Sequence, residues 1–134
     1  MKQALHLLGL FALTACAQPT APVCTTPLRS ALEIDLYFGR DKPAGGEVTD
    51  AEWGAFLTEV VTSRFPDGLS VFDSSGQYRE PNGRIVRERS KRLVVIVFDS
   101  PAHRVKLAEI IDAYKQRFGQ YSVFRVEQPV CAGL

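Results

Sequence analysis

The chain has little of what most metal and nucleophilic sites are built from. Its 134 residues include two histidines, three cysteines, one methionine and one tryptophan. Beyond an N-terminal leader only His103 remains to bind metal through imidazole, so a multi-ligand transition-metal cluster is not expected. No serine is followed three residues later by a lysine. Ser90 and Lys91 are neighbours on an expected strand, where successive side chains point to opposite faces. A Ser–His–Asp triad would have to use His103, which reads as a surface residue at the start of a helix. Gly45-Gly46 precedes a helix start, but its spacing matches neither the Walker nor the dinucleotide motif, and Glu47 and Asp50 already occupy that end. No cofactor is implied. Charge of one sign is also missing: 16 Lys plus Arg stand against 15 Asp plus Glu, which argues against broad nucleic-acid binding. No apolar run reaches the roughly 20 residues that a membrane-spanning helix needs.

What is present starts with an export signature. Lys2 precedes a short apolar run, residues 4–12, which ends in Leu13-Thr14-Ala15-Cys16. That tetrapeptide resembles the lipobox of bacterial lipoproteins. It implies cleavage before Cys16, lipid on the Cys16 thiol and attachment to a membrane of the cell envelope. Ala17 stands where a retention aspartate would keep an enterobacterial lipoprotein on the inner membrane, so outer-membrane delivery, facing the periplasm, is implied for a Gram-negative host. Residues 1–15 are read as the signal peptide, 16–31 as a Pro-, Thr- and Ala-rich lipidated tether, and 32–134 as one domain.

Export places Cys24 and Cys131 in an oxidising compartment, where a pair of thiols usually forms a disulfide. The bridge would close nearly the whole domain and, on chain-entropy arguments, contribute on the order of 4–5 kcal/mol as an upper figure.

Leu32, Ile34, Leu36 and Phe38 alternate with polar residues, predicting a strand. Thr49-Asp50-Ala51-Glu52 is a capping box, followed by an apolar stripe at helical spacing: Trp53, Phe56, Leu57, Val60, Val61 and Phe65. Pro66-Asp67-Gly68 stops that helix, and residues 69–73 predict a second strand. Residues 74–87 are polar, carry the turn Pro81-Asn82-Gly83 and read as a long hairpin arm. Residues 93–98 are apolar throughout, as in a strand covered on both faces. Ser100 and Pro101 then read as the cap and first position of a helix with the stripe Leu107, Ile110, Ile111, Tyr114 and Phe118, closed by Gly119. Residues 122–128 predict a fourth strand, ended by Pro129.

The order β-α-β-β-α-β predicts an α+β, ferredoxin-like fold: a four-stranded antiparallel sheet in the order 4-1-3-2, both helices on one face, and a long arm between strands 2 and 3. The fourth strand then ends beside the start of the first, which is where Cys24 and Cys131 lie. The tether leaves from that pole, and the arm points away from it. A second copy of the sheet, giving a homodimer or trimer, would be the usual cover for the open face.

The arm is basic. Arg79, Arg84, Arg87, Arg89, Lys91 and Arg92 crowd it, with Arg87, Arg89 and Lys91 on one strand face. Together with Tyr37, Arg40 and Tyr78 they form a candidate site for an anionic ligand or partner. The bland alternative is a solvated hairpin whose charge blocks edge pairing.

Six blocks are family-like: Tyr37-Phe38-Gly39-Arg40, Gly45-Gly46-Glu47-Val48, Glu52-Trp53, Arg64-Phe65-Pro66-Asp67-Gly68-Leu69, Gly76-Gln77-Tyr78-Arg79 and Glu88-Arg89-Ser90-Lys91. In order and over residues 32–126, they resemble a family of small bacterial envelope proteins known as domain of unknown function, number thirty-five seventy-four. Tyr78 stands where tryptophan is as common. The resemblance implies no activity, cofactor or catalytic residue. The expected role is a non-catalytic binding or assembly module. The alternatives are a small enzyme with an oligomer-interface pocket using Tyr37, Arg40, Arg89 and Lys91, and a structural subunit of an envelope assembly.

Overall fold

The computed structural model describes residues 22–98 and 101–134. The expected signal peptide, Cys16 and the Ser100 cap lie outside these residues. Strand β1 (Arg29–Gly39) is followed by helix α1 (Asp50–Phe56), which runs on without a break as a π-helix over Leu57–Thr62. Strands β2 (Ser70–Arg79) and β3 (Ile85–Val97) form the long hairpin; helix α2 (His103–Phe118) and strand β4 (Phe124–Ala132) complete the chain. All pairings are antiparallel, and the strands lie in the order β2-β3-β1-β4. This is an α+β sheet with two helices, and its strand order is the one that the element pattern predicts.

The core lies between the helices and one sheet face. Ile34, Leu36 and Phe38 of β1 and Leu93, Val95 and Val97 of β3 meet Trp53, Phe56 and Val61 from the first helix and Leu107, Ile110, Tyr114 and Phe118 from α2. Phe38 sits at the centre of the aromatic cluster, its ring 4.7 Å from Tyr114, 5.2 Å from Trp53 and 5.9 Å from Phe56. Among the described residues, the other face of the sheet carries no helix.

Several boundaries differ from expectation, each for a local reason. The first helix widens to a π-helix, so Val61, five residues after Phe56, follows it into the core, and Val60 is only half-buried. The arm is ladder throughout: β2 and β3 pair as far as Arg79 and Ile85, and Gly83 turns between them at φ +88°. Strand β4 runs past Pro129, which faces Leu32; β4 is an edge strand, where a missing N–H breaks no ladder. Helix α2 begins at His103, so Pro101 precedes it instead of opening it. Gly119 closes it in the left-handed conformation at φ +69°. His103 is a correction: it is 1% exposed, one turn before Leu107 on the buried stripe, and not a surface residue.

Cys24 and Cys131 are bridged, with Cα atoms 5.5 Å apart, at the pole where β1 starts and β4 ends. The hairpin turn projects from the opposite pole.

Candidate functional site

Strand alternation decides which of the expected site residues can act together. Lys91 faces Phe38 and Asp73, on the helix side; Arg89 pairs with Ser75 and Arg87 with Gln77 on that same side. Tyr37 and Tyr78 project to the open face, where Tyr37 packs on Phe124, ring centroids 5.8 Å apart. The sheet therefore separates the two tyrosines from Arg87, Arg89 and Lys91; Arg92 lies on the tyrosines' face, its guanidinium 5.9 Å from the centre of the Tyr37 ring and paired with Asp35 at 3.0 Å.

On the helix side the bases are met by acids. Arg40, 3% exposed, donates from Nε to the Val48 carbonyl at 2.8 Å and lies 3.2 Å from Asp50 and 3.5 Å from Glu47. Lys91 reaches Asp73 at 2.6 Å and Asp50 at 3.1 Å; Arg89 reaches Glu47 at 3.4 Å. The Asp73 hydrogen bond raises the Lys91 pKa most, and the Lys91 hydrogen bond, then the Arg40 charge, lowers that of Asp50. Three bases and three carboxylates thus clamp the β1–α1 loop onto β3. Arg84 is held by Glu80 at 2.8 Å in the hairpin turn. Arg79 and Arg87 form no ion pair among the described residues.

On the open face the arm pole forms a concavity of about 460 Å³. Four rings stand around it: Tyr37, Tyr78, Tyr121 and Phe124. Three are well exposed, Tyr78 at 54%, Phe124 at 67% and Tyr121 at 86%. Gly39 and Glu88 belong to the same lining. Gly39 pairs with Ser90, which turns the Glu88 carboxylate back across the Gly39 backbone. A Cβ at Gly39 would meet the Glu88 carboxylate, lying 2.9 Å from its Cδ. From below, the Tyr114 hydroxyl donates to the Gly39 carbonyl at 2.9 Å. Burial raises the Glu88 pKa, the Asp41 charge adds to that rise, and a hydrogen bond with the Asp41 backbone opposes it. Burial likewise raises that of Tyr114. The loop beside the concavity is pinned: Gln120 donates to the Asp41 carbonyl at 2.7 Å, and Lys42 is engaged by Glu52 at 2.7 Å.

Three of the six sequence blocks line the concavity, and a fourth is tied to them from the adjoining loop. Residues 37–40 pair with 89–92, residues 76–79 with 85–88, and the 45–48 block returns through the hydrogen bond from the Val48 amide to the Arg40 carbonyl at 2.7 Å. Sequence reasoning had Tyr37 and Tyr78 but missed Glu88, Tyr121 and Phe124. Glu88 carried a signal, since it opens one of the blocks. Tyr121 and Phe124 carried none, because Phe124 reaches the site only through the β1–β4 register and Tyr121 only through the turn that leads into β4.

The arrangement offers π-faces and a carboxylate in a partly closed space, which is suited to a small cation with a flat apolar part. A family model described as "Protein of unknown function (DUF3574)" matches residues 33–134. No curated protein sequence matches the chain. Among solved structures, a phage SAM lyase in complex with S-methyl-5'-thioadenosine is similar, with a TM-score of 0.56 and 15% identity, covering 78% of this chain and 90% of that one. The CutA of Synechococcus elongatus PCC7942 is also similar, with a TM-score of 0.51 and 14% identity over 80% of this chain and 86% of that one. At these identities the likeness concerns the fold.

Proposed function

For a chain that belongs to the family described as "Protein of unknown function (DUF3574)", we propose the role of a binding module of the cell envelope that holds a small organic cation bearing a flat ring. The observation that carries this reading is the Glu88 carboxylate laid over Gly39 inside a ring of four aromatic side chains. An aromatic face attracts a cation by about 0.5–2 kcal/mol, more when water is excluded, and a nearby carboxylate adds direct attraction. SAM, in the name of the similarly folded lyase, is a sulfonium bearing a flat adenine and suits this chemistry; S-methyl-5'-thioadenosine, its neutral relative, shares the ring alone and serves as the uncharged comparison. The anionic ligand expected at the arm has less support. Arg40, Arg89 and Lys91 are taken up by Glu47, Asp50 and Asp73, leaving Arg79 and Arg87.

Isothermal titration of the chain with SAM, S-methyl-5'-thioadenosine, benzyltrimethylammonium and inorganic phosphate tests the reading. The cations should bind, and Glu88→Gln and Tyr78→Ala should each weaken them. Binding of phosphate alone, or no effect of Glu88→Gln, would reject it.

A second reading, catalysis, is favoured by one observation: the Glu88 carboxyl has a raised pKa, as a proton-transfer group needs. Conversion of a bound ligand, followed by mass spectrometry and lost in Glu88→Gln, would select it.

The ferredoxin-like topology is part of this proposal. So is the anchoring of residues 16–31 through lipid on Cys16, for which palmitate labelling of the wild type and Cys16→Ser is the test. A homodimer or trimer through the open face is proposed on the exposed Phe72 beside the Arg92–Asp35 pair, and native mass spectrometry reads it directly.

A further inference from the structure

We propose that the cysteine pole is a docking surface for an anionic lipid bilayer. The antiparallel registers bring the start of β1, the ends of β3 and β4, the start of β2 and the N-terminus of α2 to this one end. A second cavity, about 710 Å³, opens there, with an apolar floor that includes Phe65, Leu69, Ile96 and Phe98. Arg29, Arg64 and Lys106 rim it. The Arg29 guanidinium lies 4.5 Å from the centre of the Phe98 ring, and Lys106 Nζ 5.5 Å from that of Phe65. Neither base forms an ion pair among the described residues; Arg64 is paired with Glu109 at 2.8 Å, and Asp67 is the acidic side chain of the lining.

At this same pole, before the start of β1 and in the first turn of α2, Leu28 at 41% exposure and Val105 at 65% add to Phe98 at 44%. A base over the exposed Phe98 and another at the edge of the core over the buried Phe65, with exposed apolar side chains at the same pole, match the two layers of a membrane surface. Phe98, Leu28 and Val105 enter the acyl boundary and the cations meet phosphate headgroups. The chain preceding the described residues arrives at this pole. Seven residues, 17–23, join Cys16 to the bridged Cys24, a reach of about 25 Å when extended. A lipid on Cys16 therefore leaves this pole, and not the arm, within range of the headgroups. The proposal rests on the lipid-anchor reading for its orientation, and it is tested without the lipid so that the two can fail separately.

Among the described residues, every core residue and both bridged cysteines lie from position 24 to 134, so residues 17–134 carry the described fold. This protein, unlipidated, is sedimented with vesicles of phosphatidylcholine alone or mixed equally with phosphatidylglycerol. The expected result is binding to the mixed vesicles, weakened by salt. Arg29→Gln with Lys106→Gln should lower partitioning about tenfold or more, as befits two basic side chains near an anionic surface. Arg79→Gln with Arg87→Gln, at the other pole, should leave it unchanged. Circular dichroism checks that each variant is folded. Absence of binding to the mixed vesicles, equal binding to both kinds, or equal loss in the two double variants would overturn the proposal.

Discussion

Gly39 and Glu88 occupy one another's space: the carboxylate of Glu88 lies where any side chain at position 39 would begin. Gly39 is in a strand, without a positive φ, so its lack of a Cβ serves this close approach and not a turn. Gly39→Ala should therefore fold and should drive the Glu88 carboxylate outward into water. Its pKa, followed through the carboxyl carbon by NMR, should fall toward the ordinary carboxylate value. An unchanged Glu88 titration in Gly39→Ala would mean that the close approach does not set its environment.

The raised pKa also gives a pH dependence with a definite sign. A cation is held by the ionised form of Glu88, whose protonation begins at a higher pH than for an exposed carboxylate. Affinity for an organic cation should fall as pH drops into that range, above the usual 4.5, and recover on return. Glu88→Gln should bind weakly with no such dependence. For folding the sign is opposite: a raised carboxyl pKa favours the folded state at low pH, and that contribution is lost as pH rises from 4.5 through the folded-state value. Titrations of binding and of stability on the same sample check both.

Much of the fold was legible in the sequence, because the alternation of residues 32–38, the capping box at Thr49 and the turn at residues 81–83 are local signals. The site was not, because it is made by register. Tyr37 meets Phe124 through one ladder, and Glu88 reaches Gly39 through another. A cluster of bases reads as an anion site until the partners are seen. Glu47 and Asp50 are close in sequence to Arg40, but Asp73 reaches Lys91 only through the hairpin register. His103 was misjudged for a related reason: polarity suggested the surface, while its spacing from Leu107 placed it on the buried stripe.

The expected site bases should consequently divide by energy. Arg40→Ala leaves the Val48 carbonyl without its side-chain donor, Asp50 without its guanidinium partner and Glu47 with Arg89 alone, so it should cost about 1–3 kcal/mol in urea unfolding. Arg40→Lys should recover little, since an ammonium cannot serve the carbonyl and both acids in the same fork. Arg79→Ala and Arg87→Ala, at exposed positions, should stay within about 0.5 kcal/mol of wild type. Comparable losses at all three positions would remove the distinction between a clamp and a solvated arm.

The first helix offers an independent check on the loop beside the pocket. Thr49 accepts from the Glu52 amide at 3.2 Å, Glu52 accepts from the Thr49 amide at 2.8 Å, and Lys42 holds the same carboxylate. The Lys42 hydrogen bond, then those from Thr49, bring the Glu52 pKa down to about 2. A lowered carboxyl pKa contributes stability above 4.5, and that contribution is lost as pH falls toward about 2. Thr49→Ala should cost about 1 kcal/mol at neutral pH, the usual cost of a lost cap. It should also shift the Glu52 titration upward, because two of the three hydrogen bonds that lower it involve Thr49 and one of them is removed outright. Urea unfolding and the Glu52 carboxyl titration read the two effects separately. A full stability loss with an unmoved Glu52 pKa would assign the cost to helix propensity and not to the capping box.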